Sequence, residues 1–167
     1  MLLTPETVPI IDGEALRRVA ANFPTGVCVV TVDSPAGPHG MTLNAFTTVS
    51  LDPPQLLVCL NRASNTGQYV DRAGSFTVNV LNADQADLAH RFSSRSPDKF
   101  HDVFWVRGHS GGIVLEGAVA SMECTVADRF EAATHTVVIG AVHSAMTADR
   151  APLVFHRGRF HTDGVSS

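Results

Sequence analysis

Short runs of apolar residues, rich in valine or threonine and interrupted by glycine and proline, make up most of the chain. Runs of this length and composition predict β-strands. They occupy residues 26–33, 40–51, 55–61, 75–81, 113–130, 135–146 and 152–160. Clusters of turn-forming residues separate them, as in the SPAGPHG segment over 34–40. The pattern therefore predicts a protein built mainly from short strands.

Apolar residues at helical spacing occur in three stretches, over residues 14–23, 64–74 and 83–92. Asp12 and Asn82 precede the first and third stretches as candidate N-caps, and Gly74 ends the second. The segment over 93–112 is polar and irregular, which predicts a surface loop. We expect two or three short helices beside the strands.

Strands at this short spacing favour a closed antiparallel barrel over a doubly wound parallel sheet. A doubly wound dinucleotide-binding fold would need alternating long helices and a Gly-x-Gly-x-x-Gly motif after a strand, and the sequence has no such motif. We expect one mostly β domain over residues 12–162. A flexible N-terminal arm over 1–11 and a frayed tail over 163–167 are expected to flank it.

Composition and charge exclude several classes of protein. The chain has 167 residues, of which 44% are hydrophobic and 17% charged, a balance typical of a folded domain. Its formal net charge of −4 argues against a general nucleic-acid binder, which ordinarily carries a basic surface. No apolar run is long enough to span a membrane, and no signal peptide is recognisable. With three scattered cysteines and no Cys-x-x-Cys pair, a cytoplasmic protein is expected.

Residue chemistry alone gives no hydrolase signature. The eight histidines include no His-Glu-x-x-His or His-x-His spacing, so no metal site is predicted. A nucleophile elbow and a phosphate-binding P-loop are also absent from the sequence. If the protein is an enzyme, a bound cofactor is expected to supply the difficult chemistry.

Two segments carry polar groups suited to a ligand. The first, over 40–50, is rich in hydroxyl and amide side chains that could satisfy the edge of a polar heterocycle, although an ordinary half-exposed strand has the same composition. The second contains Lys99, the single lysine of the chain, which with Arg91 and Arg95 could neutralise a phosphate. A solvated loop is the alternative for this second segment.

Six segments in a fixed order resemble one known family. In chain order they read FPTGVCVVTV, HGMTLNAFTTVSLDPPQLLVCLNRASNT, SFTVNVLNADQADLAHRF, SPDKF, THTVVIGAV and PLVFHRGRF. The chain resembles, from about Ala15 to Phe160, the short-chain flavin reductases, which have an FMN-binding split β-barrel. Members of that family are the reductase components of two-component flavin-dependent monooxygenases.

The resemblance implies an NAD(P)H-dependent flavin reductase. Such an enzyme transfers hydride from NADH, or less commonly NADPH, to FAD or FMN and supplies free reduced flavin to a partner monooxygenase. The family also implies a homodimer. A flavin-binding split-barrel protein without reductase activity is the alternative.

The resemblance also implies which residues hold the ligands, with no side chain acting as a catalytic acid or base. The flavin-binding residues that it implies are Thr42, Asn44, Ala45, Phe46, Thr48, Ser50, Cys59, Leu60, Asn61, Ser64, Asn65, Thr66, Arg91, Lys99 and Phe100. Among them, residues 42–46 match the ring edge, Ser50 the ribityl chain and residues 59–66 the phosphate-binding stretch. His135 and Phe155 are expected beside the nicotinamide.

Two positions depart from the family pattern. Ala45 stands where many members have serine, so that a backbone amide is the remaining contact at this position. Ala133 and Thr134 stand where many members have Gly-Asp before the histidine, so that Thr134 replaces the acidic partner of His135.

Overall fold

The computed structural model describes residues 11–162, and these residues form a mostly β protein with three α-helices. The helices are α1 (Gly13–Ala20), α2 (Asn65–Ala73) and α3 (Ala86–Ser93), the last preceded by a 3-10 turn over Ala83–Gln85. The strands are β1 (Thr25–Gly26), β2 (Cys28–Ser34), β3 (Gly37–Leu43), β4 (Phe46–Leu51), β5 (Pro54–Asn61), β6 (Ser75–Val80), β7 (Trp105–Arg107), β8 (Ile113–Leu115), β9 (Ala120–Ala132), β10 (His135–Thr147), β11 (Val154–His156) and β12 (Arg159–His161).

A seven-stranded antiparallel sheet with the order β3-β2-β6-β9-β10-β5-β4 is the largest element of the described chain. Its two edge strands, β3 and β4, are joined by Asn44 and Ala45 alone. Two residues can connect opposite edges only if the sheet curls until those edges meet. The predicted barrel is therefore confirmed.

The interior of the barrel is the first of two apolar clusters. Alternate residues of β2 pack there with alternate residues of β5, a strand four places away in the sheet. The inward residues of these two strands are Cys28, Val30, Val32, Leu56, Val58 and Leu60. Contact between such distant strands shows that the sheet encloses its own core.

The second cluster lies on the outer face of β2. Val27 and Val29 pack there against α3, β8 and the segment before β11 through Ala89, Leu115 and Leu153. A three-stranded sheet, β1-β11-β12, and the β7-β8 hairpin complete this outer layer within the described residues. Because β2 is buried on both faces, its first five residues are all buried and only Thr31 among them is polar, in place of a regular alternation.

Helix ends follow the predicted caps. The Asp12 carboxylate accepts a hydrogen bond from the Ala15 amide at 2.7 Å, and Gly74 ends α2 in the left-handed region at φ 66°. Asn82 accepts from the Asp84 amide at 2.7 Å and forms a capping box with Gln85.

Several segments differ from the sequence predictions, and the run over 152–160 is one of them, since it forms the two strands β11 and β12. The strand expected over 40–51 is two strands, since the chain crosses between sheet edges at Asn44, and β3 begins at Gly37 inside the expected turn. Gly117, at φ 80°, divides the segment expected over 113–130 into β8 and β9. The expected loop over 93–112 contains β7, and α1 ends at Ala20 rather than at residue 23.

One carboxylate is buried under the β7-β8 loop. Glu123, on β9, is 4% exposed and accepts hydrogen bonds from the amides of Ser110 and Gly112 at 2.8 and 2.9 Å. A Cβ at Gly108 would come within 2.3 Å of its Oε1 atom, so the loop can close on the carboxylate only with glycine there.

No helix within residues 11–162 is long and apolar enough to cross a membrane. Of the expected arm and tail, residues 1–10 and 163–167 lie outside the described residues.

Candidate functional site

The end of β3 is the point at which most of the predicted site residues meet. The Thr42 hydroxyl donates to the carbonyl of Ala89 in α3 at 2.7 Å, and the Met41 sulfur lies 3.4 Å from the Ser64 hydroxyl at the start of α2. The strand thus lies between the two helices, with neighbouring residues directed towards each. Predicted positions 20 or more residues apart in sequence are thereby brought to one strand.

An open groove of about 730 Å³ lies beside this strand on the α3 side. It contains three predicted residues, Thr42, Asn44 and Phe155, which come from β3, the β3-β4 connection and β11. Its other lining residues are Val27, Leu43, Ala86, Asp87, His90, Ser93, Gly158, Arg159, Phe160 and Thr162. The size and the mixture of apolar and polar walls are typical of a small-molecule site.

Aromatic rings form one wall of the groove. Phe155 and Phe160 face each other across the β11-β12 hairpin with ring centroids 5.4 Å apart, and His90 meets the Phe160 ring edge-on at 4.7 Å. Opposite them, Thr42 and the exposed Asn44 provide hydroxyl and amide groups. A planar ring system with hydrogen-bonding edges fits between such walls.

The β3-β4 corner carries the next predicted residues. The Ala45 carbonyl accepts from the Cys59 amide at 3.1 Å, which ties the corner to β5. Phe46 packs against the barrel core, whereas Thr48 is exposed and Ser50 half-buried along the free edge of β4. Thr48 and Ser50 are therefore accessible to a ligand that follows this edge.

The predicted phosphate-binding stretch forms the end of β5 and the N-terminus of α2. Ser64 caps the helix by accepting from the Gly67 amide at 3.0 Å and donating to the Asn61 carbonyl at 2.7 Å. Asn65 and Thr66 follow in the first turn, where amides without intrahelical partners favour an anion. Cys59 and Leu60 precede them on β5, with Leu60 buried in the barrel core.

His135 lies beside this helix N-terminus, where it is opposite Asn61 in the β5-β10 ladder. Its Nδ1 atom is 2.9 Å from the Thr134 hydroxyl, so Thr134 makes the contact for which an acidic residue is missing. Within the described chain His135 does not line the groove that contains Phe155. The two residues expected at the nicotinamide thus occupy different places in a single chain.

Lys99 links β3 to the end of α3. Its ammonium group donates to the carbonyls of Gly40 at 3.2 Å and Phe92 at 2.9 Å, and burial lowers its pKa below the ordinary value. Phe100 packs edge-on against Phe92 at 4.9 Å, and a Cβ at Gly40 would come within 2.7 Å of the Phe92 ring. Lys99 is therefore held by backbone carbonyls instead of extending from a solvated loop.

Arg91, the remaining predicted residue, donates to the carbonyl of His101. Neither Arg91 nor Lys99 is among the described residues that line the groove. A phosphate contact by either residue stays a prediction.

His39, which precedes Gly40 on β3, stacks on Tyr69 of α2 with ring centroids 4.1 Å apart. Burial, and secondarily the nearby charge of Lys99, lowers the pKa of His39 below 6.5. A neutral imidazole therefore joins β3 to the helix that carries the phosphate-binding stretch.

Ten of the thirteen lining residues of the groove were not predicted from the sequence, among them five that carry polar groups or the second aromatic ring. Asp87, His90 and Ser93 recur at three-residue spacing and so share one face of α3. Phe160 is the cross-strand partner of Phe155, and Arg159 precedes it. The helical spacing and the short aromatic hairpin were the available signals, but neither shows what the helix and hairpin face.

The three cysteines are poor candidates for nucleophiles. Burial raises the pKa of Cys28 to about 12, and burial together with the charge of Glu123 raises that of Cys124 to about 12. Burial also raises the pKa of Cys59. Among residues 11–162 no group of three or more histidine, cysteine or acidic side chains is arranged to hold a metal ion.

Comparison with known proteins identifies the family. The model of the flavin reductase like domain matches residues 20–163. The NADH-dependent FAD reductase of Streptomyces globisporus is 42% identical over 164 residues, which cover 93% of this chain and 88% of the relative. Actinorhodin polyketide dimerase of Streptomyces coelicolor is 42% identical over 151 residues, covering 89% of this chain and 85% of the relative.

A solved structure shows the same fold. A homologue of nitrilotriacetate monooxygenase component B from Mycobacterium thermoresistibile matches with a TM-score of 0.86 and 35% identity, over 92% of this chain and 86% of that one. The split β-barrel expected from the resemblance is thus confirmed. The chain belongs to the flavin reductase like family.

Proposed function

We propose that this protein is an NAD(P)H-dependent flavin reductase that uses NADH and supplies reduced FAD or FMN to a separate monooxygenase. The observation that carries the proposal is the groove beside β3, where Thr42, Asn44 and Phe155 meet between a polar strand end and an aromatic wall. Family membership supports it, as does the name of the Streptomyces globisporus relative.

The reaction requires the protein to bind and orient two ring systems. Hydride passes from the nicotinamide to the flavin, and solvent supplies the accompanying proton. No proton need leave a side chain in this chemistry. The contribution of the chain is the alignment of the two rings.

The groove residues have distinct parts in this alignment. Phe155 and Phe160 offer ring faces for stacking, and the exposed Asn44 amide offers a donor and an acceptor to a ring edge. The hydrogen of the Thr42 hydroxyl is directed to Ala89, so its oxygen is left as an acceptor towards the groove. The first turn of α2 takes the flavin phosphate.

A homodimer is part of the proposal. Apolar side chains of α1 and of the segment that follows it are exposed in the isolated chain, with Leu16, Val19 and Phe23 at 56%, 69% and 74%. Val49 and Leu51 are likewise exposed on the edge strand β4. A second copy that covers these surfaces would remove apolar area from water. Light scattering at micromolar concentration should give twice the chain mass, and a monomer would contradict this part.

The partner and the location follow from the same proposal. A reductase that releases its flavin needs an open site, and the groove is open to solvent along one side. We propose a flavin-dependent monooxygenase as the recipient and the cytoplasm, where NADH is available, as the location.

The deciding experiment adds NADH and free FAD or FMN to the purified protein and follows the absorbance of reduced nicotinamide. Multiple turnovers per protein molecule are expected. Flavin that co-purifies without NADH oxidation would support the flavin-binding alternative instead. Neither binding nor turnover would overturn both.

A further inference from the structure

A second cavity, of about 380 Å³, lies between α2 and the β9-β10 pair. It exists because β6 pairs with β9 only over residues 120–125, so that the later half of β9, beside the helix, is paired with β10 alone among the described residues. The Val126 amide donates to the Gly74 carbonyl at 2.8 Å and closes the far end. The near end adjoins the predicted phosphate-binding stretch through Asn61 and Gly67.

The floor of this cavity is apolar and its rim is polar. Leu60, Val70, Val126 and Val138 form the floor. The side-chain amides of Asn61 and Gln68 and the hydroxyl of Thr136 also line it. A flat heterocycle with apolar faces and hydrogen-bonding edges suits this combination.

Two ion pairs at the rim leave the cavity without net charge. Arg62 pairs with Glu131 at 3.2 Å, Arg129 pairs with Asp71, and all four side chains are half-exposed or more. Because both guanidinium groups are matched by carboxylates, the cavity favours a neutral ring over an additional phosphate. The planar guanidinium groups can also stack on a ring at the rim.

We infer that this cavity holds the adenosine end of FAD, and hence that FAD rather than FMN is the preferred flavin. The inference rests on the proposed function, in which the first turn of α2 takes the flavin phosphate. FMN ends at that phosphate, whereas FAD continues by a second phosphate, a ribose and an adenine. The cavity begins at Gly67, in that same first turn, and its chemistry matches adenine.

NADH also carries an adenosine, so the test must separate the two sources. Continuity of the cavity with the flavin phosphate stretch assigns it to FAD. Equilibrium titrations without NADH, followed by flavin fluorescence, measure the affinities of FAD and FMN directly. We expect wild-type protein to bind FAD at least tenfold more tightly than FMN, and equal affinities would overturn the inference.

A cavity-filling variant sharpens the test. Gln68 is exposed on α2 and lines the cavity, so Gln68→Trp should weaken FAD binding at least tenfold and leave FMN binding within twofold. Ala73→Trp, at an exposed position of the same helix outside the cavity lining, is the matched control and should alter neither. An equal loss of affinity for FAD and FMN in Gln68→Trp would overturn the inference, whether it came from a disturbed helix or from a disturbed contact with a second copy of the chain.

Two further measurements complete the design. AMP should be displaced from wild-type protein by FAD but not by FMN, a result that does not depend on any variant folding. With FMN as the acceptor, a raised KM for NADH in Gln68→Trp would assign the cavity to NADH and overturn the inference. Normal FMN turnover with no FAD preference would refute the adenosine site alone, whereas no turnover with either flavin would refute the proposed function.

Discussion

Replacing Lys99 by methionine separates two roles for the single lysine. The structure shows its ammonium group bonded to the carbonyls of Gly40 and Phe92, which ties β3 to the end of α3. The family resemblance instead implies a contact with the flavin. Methionine keeps most of the apolar stem and removes the charge and all three donors.

The loss of stability follows from the two hydrogen bonds. A hydrogen bond to a charged group contributes about 1.5–3 kcal/mol when it is buried. Lys99 is only half-buried, and its lowered pKa shows that desolvation offsets part of the gain, so we expect ~2 kcal/mol for the pair together. For a domain of this size that corresponds to a decrease in Tm of about 4–8 °C.

Thermal unfolding followed by circular dichroism measures this change, with Arg95→Met as the control. Arg95 lies exposed in the same segment and should tolerate the substitution without a change in Tm. A Tm of Lys99→Met equal to that of wild type would refute the reasoning, since the two carbonyl contacts would then contribute nothing.

Flavin affinity is the second readout of the same variant. If Lys99 also contacts the flavin phosphate, Lys99→Met should bind flavin roughly 10- to 100-fold more weakly while saturated turnover is retained. Reduced stability with unchanged flavin affinity would show that the lysine serves the fold alone.

Three other measurements test separate parts of the structure. Because the pKa of His39 is lowered in the folded state, the stability that its neutral form contributes is complete above pH 6.5 and is lost as the pH falls below it. The free energy of unfolding, measured in urea, should therefore fall less between pH 7 and 5 in His39→Phe than in wild type. Equal decreases would show that His39 does not contribute to the pH dependence of stability. Glu123→Ala removes the acceptor of the part-buried Ser110 and Gly112 amides, so it should cost about 1–3 kcal/mol and speed hydrogen exchange at Gly112, whereas unchanged exchange there would contradict the role of the carboxylate. His135→Ala should lower both NADH affinity and the rate of flavin reduction in stopped-flow experiments, and Thr134→Val should lower them less; wild-type values in His135→Ala would show that the histidine touches no ligand.

Local signals in the sequence were sufficient for most of the fold. Runs of valine and leucine predicted the strands, and Asp12, Gly74 and Asn82 marked helix ends because capping depends on residues close in sequence. The break at Asn44 was missed because nothing in a threonine-rich run shows that the chain moves there to the other edge of the sheet. That change is a property of the closed barrel.

The candidate site was predicted less completely. Thr42 and Asn44, predicted at the flavin, and Phe155, predicted at the nicotinamide, line one groove, but Asp87 and His90 were missed because only packing of α3 against β3 brings them there. The contacts of Lys99 with two carbonyls were also not predictable, since a lysine in a polar loop ordinarily extends into water. The ligand contacts of all these residues stay predictions.

The two-residue connection between β3 and β4 has a mechanical consequence. It holds together the first and last strands of a sheet whose hydrogen-bonded ladder ends at both of them, so the barrel is weakest to opening along this line. A ligand that contacts Thr42 on β3 and Thr48 on β4 would hold the two strands together across that line. Occupancy by flavin should then slow hydrogen exchange in β3 and β4 more than in β6 and β9, and an enzyme that releases its product would loosen its own barrel with every turnover.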